Sequence, residues 1–384
     1  MKILNVILSM DEASGGGGTE RAFQLSRHWS RRGHDVTVLT TCYGMTSALL
    51  ASLEGSRVLA IPSLCSRFPV PFPQWGRISQ AVKQADVVHF CNHWSALSAL
   101  AYLAVLRHKK PYVVSPLGAL PLFGRSKAIK RLYNAVVGTR MIRNADRFVV
   151  ATLAELPSFR AYGADQSRMA HMPNGINEED YLCHDESEAF KTQIGVSTHP
   201  FILFIGRLNP IKGPDLLLDA FCRVKDTMPD LHLVMMGIDQ GLLESLKKTA
   251  VRQSVGERVH FLGFISREDK SRVIHLARLL VVPSRQEAMS IVVLEAGIAR
   301  KPVLITDQCG FNEVQSINGG KIVPATVPGL VDGLTALLGR PDELELMGEN
   351  LWSLTKANYI WASIADRYAI LFREVTTSKR EAER

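Results

Sequence analysis

The sequence predicts an α/β protein made of two doubly wound domains in series. Three observations carry that prediction. Short apolar runs recur along the chain without polar alternation, the pattern of strands buried on both faces of a parallel sheet. Segments of helical period stand between them, so strand and helix alternate. The alternation breaks once, in the polar stretch 171–199, and then starts again. A length of 384 residues agrees, because one hydrophobic core rarely grows past about 250–300 residues.

Taken in order, "KILNVILSM" (2–10) is a strand. "SGGGGTE" (14–20) reads as a glycine loop ahead of an amphipathic helix, and "DVTVLT" (35–40) completes a strand–helix–strand start. Strand "ADVVHF" (85–90), helix 95–107, strand "PYVVSP" (111–116), a basic helix near 126–144, strand "DRFVVAT" (146–152) and helix 153–162 continue the rhythm. The stretch 171–199 carries an Asn-Gly turn at 174–175 and reads as the link between domains. The second series is strand 201–208, helix 214–226, strand 231–237, helix 241–254, strand 259–264, helix 267–277, strand 279–284, helix 290–299 and strand 302–306. Residues 1–175 are therefore expected to form one domain and 176–359 the other, with 377–384 a disordered charged tail. Ligands of such sheets bind beyond the carboxyl ends of the strands, so two facing sheets predict a cleft between the domains.

Composition is that of a folded globular protein, 46% hydrophobic and 21% charged. The longest apolar runs, such as "SALSALAYLAVL" (95–106), fall short of the ~20 residues of a bilayer span. No leader pattern opens the chain. The six cysteines (42, 65, 91, 183, 222 and 309) are scattered and form no C-x-x-C pair. That argues against a disulfide framework or a zinc site, and a cytoplasmic location is expected. The net charge of +8 is uneven: residues 1–176 hold 21 Lys/Arg against 9 Asp/Glu, a net of +12, and the remainder 24 against 28, a net of −4. A basic half implies an acidic partner beyond a plain gain in solubility. Arg125, Lys127, Lys130, Arg131, Arg140 and Arg143 surround "AIKRLYNAVVG". The expected partner there is an anionic membrane surface, reached peripherally, and not nucleic acid.

Three motifs carry chemistry. The glycine run would let backbone approach an anion at a helix start, unless it is only a flexible turn. It fails the dinucleotide fingerprint: G-x-G-x-x-G from Gly15 needs glycine where Glu20 stands, and "VLTTC" ends the second strand without an acidic residue. In "GRLNPIKG" (206–213), Arg207 and Lys212 bracket a turn that leads into a helix, the make-up of a phosphate clamp. In "VVPSRQEAMSIVVLEAGIARKPVLITD" (281–307), Glu287 lies in a loop. Glu295 lies ~8 Å further along the helix that starts near Ser290. The amides of Ala288, Met289 and Ser290, with Ile291 behind them, stand at that helix's positive end. One carboxylate in front of a phosphate-binding terminus and one behind it suit a nucleotide sugar, with hydroxyls at both ends and a diphosphate between. The plainer alternative is one solvent-facing and one ion-paired glutamate. Gly206, Gly237 and Phe264 join the donor-binding set. No D-x-D ends a strand and no His/Asp cluster implies a metal or other cofactor; Arg207, Lys212 and the helix ends would serve in place of a divalent ion.

"GGTE", "SRRGHDVTVLT", "DVVHFCNHWSA", "VVSPLGAL", "MPNGI", "GRLNPIKG" and E-x7-E with "GFNEV" together resemble the retaining glycosyltransferases of family 4, which have the GT-B fold of two Rossmann-like domains. The resemblance spans nearly the whole chain. It implies that Arg207 and Lys212 bind the donor diphosphate, that Glu287 contacts the donor sugar and that Glu295 contacts the ribose. It places Gly17 and Gly18 near the reacting centre of an acceptor-binding first domain. The family's closing helix crosses back to that domain, and "YIWASIADRYAILFREV" (359–375) is similar to it, adding about 360–376 to the first domain. Two positions depart from the family pattern: "EAMS" stands where E-G-F-G is common, and Leu117 of "SPLG" stands where histidine is common. Ala288 resists a positive φ, which implies a differently shaped loop.

The expected activity is metal-independent, retaining transfer of a sugar from UDP or GDP to a glycan or lipid-linked acceptor, in surface polysaccharide or glycolipid assembly. A nucleotide-sugar epimerase and a non-catalytic nucleotide-sugar-binding protein are the alternatives on the same fold.

Overall fold

The computed structural model describes residues 1–53, 55–63, 74–122, 126–182 and 188–382. Cys65, Cys183 and Arg125 lie outside these ranges. The chain divides into two compact units, Met1–Asn174 joined by the chain from Trp361 onward, and Gly175–Ile360.

The first unit runs β1 (Lys2–Val6), α1 (Glu12–Arg31), β2 (Asp35–Thr41), α2 (Ser47–Ser52), β3 (Arg57–Ile61), α3 (Trp75–Gln84), β4 (Val87–Phe90), α4 (Ala96–His108) and β5 (Tyr112–Val114). It continues with α5 (Lys127–Tyr133), a π-helical turn (Asn134–Gly138), α6 (Thr139–Arg143), β6 (Arg147–Val150), α7 (Leu156–Ala161) and β7 (Met169–His171). The strands pair in parallel in the order β3-β2-β1-β4-β5-β6-β7, with Leu4 opposite both Thr37 and Val88. All four residues of β4, "VVHF", are buried, as a strand covered on both faces requires.

The second unit holds α8 (Glu188–Gln193), β8 (Phe201–Ile205), α9 (Pro214–Val224), β9 (His232–Met236), α10 (Leu243–Arg252), β10 (Val259–Gly263), α11 (Arg267–Leu276), β11 (Leu279–Val282) and α12 (Ile291–Ile298). After these come β12 (Val303–Thr306), α13 (Glu313–Ser316), β13 (Gly320–Val323), α14 (Val327–Leu338) and α15 (Pro341–Asn358). Its parallel sheet has the order β10-β9-β8-β11-β12-β13. The chain then returns to the first unit as α16 (Trp361–Ala382), which buries Trp361, Ile364, Tyr368 and Phe372 in the core shared with Trp29 and Leu25 of α1.

Two expectations are corrected. The glycine run is not a loop: Gly15 to Gly18 lie inside α1, which begins at Glu12. Each glycine costs a helix about 1 kcal/mol, so local propensity reads as a break. The buried face of Ala22, Phe23, Leu25 and Trp29 further along supplies the packing that carries the helix. The charged end is not disordered through residue 382, since α16 continues to Ala382. Lys, Arg, Glu and Ala favour helix intrinsically, and buried Phe372 and Val375 anchor the turns before them.

Candidate donor site and acceptor face

In the second unit the "GRLNPIKG" turn follows β8, and its shape is set by backbone contact. Gly206 N–H donates to the Met236 carbonyl (2.9 Å) and Leu208 N–H to Ile238 (2.9 Å), tying the loops after β8 and β9 together. Gly237 (φ +147°) passes so close that a Cβ there would sit 1.9 Å from the Gly206 carbonyl oxygen. The Asn209 side chain accepts from the Lys212 amide (3.0 Å) and donates to Gln240 (2.8 Å), closing the turn. Gly213 caps α9 in the left-handed region (φ +70°), where a Cβ would sit 2.1 Å from the Pro283 carbonyl oxygen. The chain from Lys212 into α9 therefore runs against the loop after β11. Arg285 fastens the two: its guanidinium donates twice to Asp215 (2.8 and 2.6 Å) and once to the Pro210 carbonyl (2.6 Å). Asp215 raises the Arg285 pKa further. Sequence reading missed Arg285 and Asp215; their signal was a Gly-Pro-Asp helix start and an arginine two residues before Glu287.

The structure joins the two motifs directly. Lys212 Nζ lies 2.8 Å from Glu287 Oε1, with side chains only 23% and 10% exposed. Ser284 donates to the same oxygen at 2.6 Å. The Glu287 amide donates to Gln308 (2.9 Å) and the Ser290 amide to Cys309 (3.2 Å), so the loop ahead of α12 is pinned by the segment after β12. Ser290 is the N-cap of α12, and its buried hydroxyl has no hydrogen-bond partner. Ile291 opens the helix. Ala288 keeps clear of the left-handed region, which Leu117 (φ 51°) enters.

Glu295 sits in the second turn of α12, 5% exposed. Its Oε1 accepts from Tyr181 Oη (2.8 Å) and Lys270 Nζ (2.7 Å), while the buried Oε2 has no partner. Neither glutamate is solvent-facing. Nothing in the spacing pointed to Tyr181, which lies in the stretch read as a linker, or to Lys270. Arg207 is half-buried, and its guanidinium makes no ion pair among the described residues. Phe264, just past β10, is 65% exposed. No group of three or more His, Cys, Asp and Glu among the described residues could hold a metal ion.

In the first unit, Gly17 is exposed and Gly18 half-buried in α1, and a Cβ on Gly18 would touch Leu117 Cδ1 at 4.0 Å. Leu117 follows β5, and the buried Glu155 holds the next residue, Gly118. That carboxylate accepts from the Gly118 amide (2.6 Å) and the Ala151 amide (2.7 Å), and burial pushes its pKa up. After β4, buried His93 bonds Asn134 (3.1 Å), and burial takes it down to about 4. Leu117 and His93 thus lie in the loops leaving the carboxyl ends of β5 and β4, the ends at which doubly wound sheets bind ligands. No helix among the described residues is long and apolar enough to cross a membrane.

Comparisons with known proteins match this architecture. The family described as "Glycosyltransferase Family 4" matches residues 15–180, and "Glycosyl transferases group 1" matches 186–351. A D-inositol 3-phosphate glycosyltransferase of Mycobacterium sp. (strain JLS) is 31% identical over 320 residues, 75% of this chain and 70% of that protein. An alpha-D-kanosaminyltransferase of Streptomyces kanamyceticus is 27% identical over 241 residues, 61% of this chain and 60% of that protein. For three of the curated relatives the matched part spans only 52–60% of their own length. Among solved structures, Anabaena Alr3699/HepE in complex with UDP and glucose superposes with a TM-score of 0.82 at 18% identity, covering 97% of this chain and all of that one. WaaG, a glycosyltransferase involved in lipopolysaccharide biosynthesis, gives 0.70 at 19% identity, covering 96% and 99%. On these matches the chain belongs to the family 4 type of glycosyltransferases with the GT-B fold.

Proposed function

We infer that this protein transfers a sugar from a nucleoside diphosphate to an acceptor hydroxyl, with retention and without a metal ion. The observation that carries the reading is the pairing of Lys212 with Glu287 at 2.8 Å, beside the start of α12. It joins a cation for the diphosphate to a carboxylate for the sugar. As the bond from sugar to diphosphate breaks, negative charge grows on the leaving phosphate. Arg207, Lys212 and the positive end of α12 meet that charge, which is electrostatic stabilisation already in place before reaction. Glu287 orients the sugar ring and Glu295 holds the ribose. No side chain serves as a nucleophile.

The structural relatives bound to UDP, glucose and UDP-glucose make a UDP-sugar the first donor to test, ahead of a GDP-sugar. The acceptor is a glycan or a lipid-linked sugar of surface polysaccharide or glycolipid assembly. The first unit docks peripherally on an anionic membrane. On and after α5, Ile129, Leu132 and Val136 are 65–69% exposed at helical spacing, flanked by Lys127, Lys130 and Arg131. Exposed aliphatics rimmed by cations suit a bilayer interface.

A thermal-shift series against UDP- and GDP-sugars tests the donor. A ligand at 100 times its Kd adds ~2.7 kcal/mol of stability, so the cognate nucleotide gives an unmistakable rise. Failure of every nucleotide sugar to shift the protein overturns the reading. Turnover should survive excess EDTA, and loss rescued by Mg²⁺ would remove the metal-free mechanism. Liposome co-sedimentation tests docking: stronger binding to anionic than to neutral vesicles is expected, and equal binding at low salt refutes it.

A further inference from the structure

The geometry points to Lys270 and Tyr181 as positioning residues that turn Glu295 so that one oxygen, Oε2, is reserved for a vicinal diol of the donor nucleoside. This rests on the donor reading above. The contact of Glu295 with ribose is what family resemblance implies; the two residues that set the carboxylate belong to none of its motifs.

An isolated carboxylate rotates, and both oxygens compete for water and ligand. Here Oε1 is filled by two donors, the Tyr181 hydroxyl at 2.8 Å and the Lys270 ammonium at 2.7 Å. Oε2 is buried and has no partner, and Glu295 as a whole is 5% exposed. A buried acceptor left empty is costly, so it fits a place where a ligand hydroxyl completes the bond. α12 follows the carboxyl end of β11, the ligand end of a doubly wound sheet.

The two positioning residues are themselves held. The Lys270 ammonium lies 5.5 Å from the centre of the Tyr181 ring. One turn earlier on α11, Arg267 pairs with Asp180 at 2.7 Å, and Asp180 also accepts from Asn177 at 3.1 Å. Arg267 and Lys270 thus fix residues 177–181 to one face of α11. Tyr181 reaches Glu295 from a chain segment that is anchored rather than loose. The arrangement sets the plane of the carboxylate before any ligand arrives, as a preorganised site requires.

The test is binding, not turnover. Titration calorimetry compares UDP and GDP with their 2′-deoxy and 3′-deoxy counterparts, on wild type, Lys270→Met, Lys270→Arg and Tyr181→Phe. Wild type should prefer the intact diol by about tenfold or more, one lost hydrogen bond to a charged group. Lys270→Met should bring that ratio below about threefold, Tyr181→Phe should lower it partly, and Lys270→Arg should restore it. A role confined to folding would weaken intact and deoxy ligands alike and leave the ratio unchanged. An unchanged ratio in Lys270→Met, or the same loss for all ligands, overturns the assignment. If Lys270→Met does not fold, Tyr181→Phe with Lys270→Gln carries the comparison. Wild type that binds neither UDP nor GDP rejects the donor reading itself, an outcome distinct from an unchanged ratio.

Discussion

Removing Lys212 should harm both stability and turnover, whereas removing Arg207 should harm turnover alone. The structure separates the two cations of the proposed clamp. Lys212 is the counter-ion of Glu287, whose side chain is 10% exposed and whose other donor is Ser284. Breaking a fully buried pair costs about 3–5 kcal/mol and an exposed pair at most about 1 kcal/mol. With Lys212 itself 23% exposed, the loss in Lys212→Ala falls between, ~1–3 kcal/mol. At ~2–4 °C per kcal/mol for a unit of this size, Tm should drop by ~2–12 °C. The Arg207 guanidinium has no ion pair among the described residues, so Arg207→Ala should stay within about 0.5 kcal/mol of wild type. Both variants should lose on the order of 10²–10³ in kcat, the scale for one preorganised charge-stabilising group. Scanning calorimetry and a nucleotide-release assay read the two effects. The double variant Lys212→Ala/Glu287→Gln removes the stranded charge, and should recover stability without recovering turnover. Lys212→Ala melting with wild type, or the double variant melting below the single one, would refute the reasoning.

Two further outcomes follow from the fold. Gly213→Ala places a Cβ 2.1 Å from the Pro283 carbonyl oxygen at φ +70°; left-handed strain of ~1–2 kcal/mol adds to that clash, so urea unfolding should show a loss above ~2 kcal/mol together with lost turnover. Acid should weaken the first unit, because burial lowers His89 to about 3 and His93 to about 4 from the ordinary 6.5. The unfolded chain takes up those protons first, so stability held above pH 6.5 is lost as pH falls toward 4. Melting temperatures across that range should fall with pH, and His93→Gln should make the slope shallower; a flat wild-type profile contradicts this.

The sequence made the central strands legible and the edges obscure, for a physical reason. β4 and β11 are buried throughout, and their apolar runs stand out. Three of the four edge strands, β3, β7 and β13, are half-buried and carry Arg57, His171 and Lys321, which makes them hard to tell from loop, whereas the fourth, β10, keeps an apolar run over 259–264. The backbone devices of the candidate donor loops were legible as glycines and prolines in "GRLNPIKG". Long-range partners were not. Tyr181 and Glu295 lie 114 residues apart, and Arg285 and Asp215 lie 70 apart; only the folded sheet brings them together. The glycine run misled because propensity counts neighbours along the chain, whereas α1 is held by residues packed across it.

The most direct test needs no acceptor. The protein is incubated with the nucleotide sugar that raises its melting temperature most, and proton NMR follows the anomeric signals as water slowly accepts the sugar. Free sugar should appear first in the anomeric configuration it had in the donor, at a rate that falls at least about tenfold in Arg207→Ala. An inverted first product, a change of ring configuration within an intact nucleotide sugar, or hydrolysis unaffected by Arg207→Ala would contradict it.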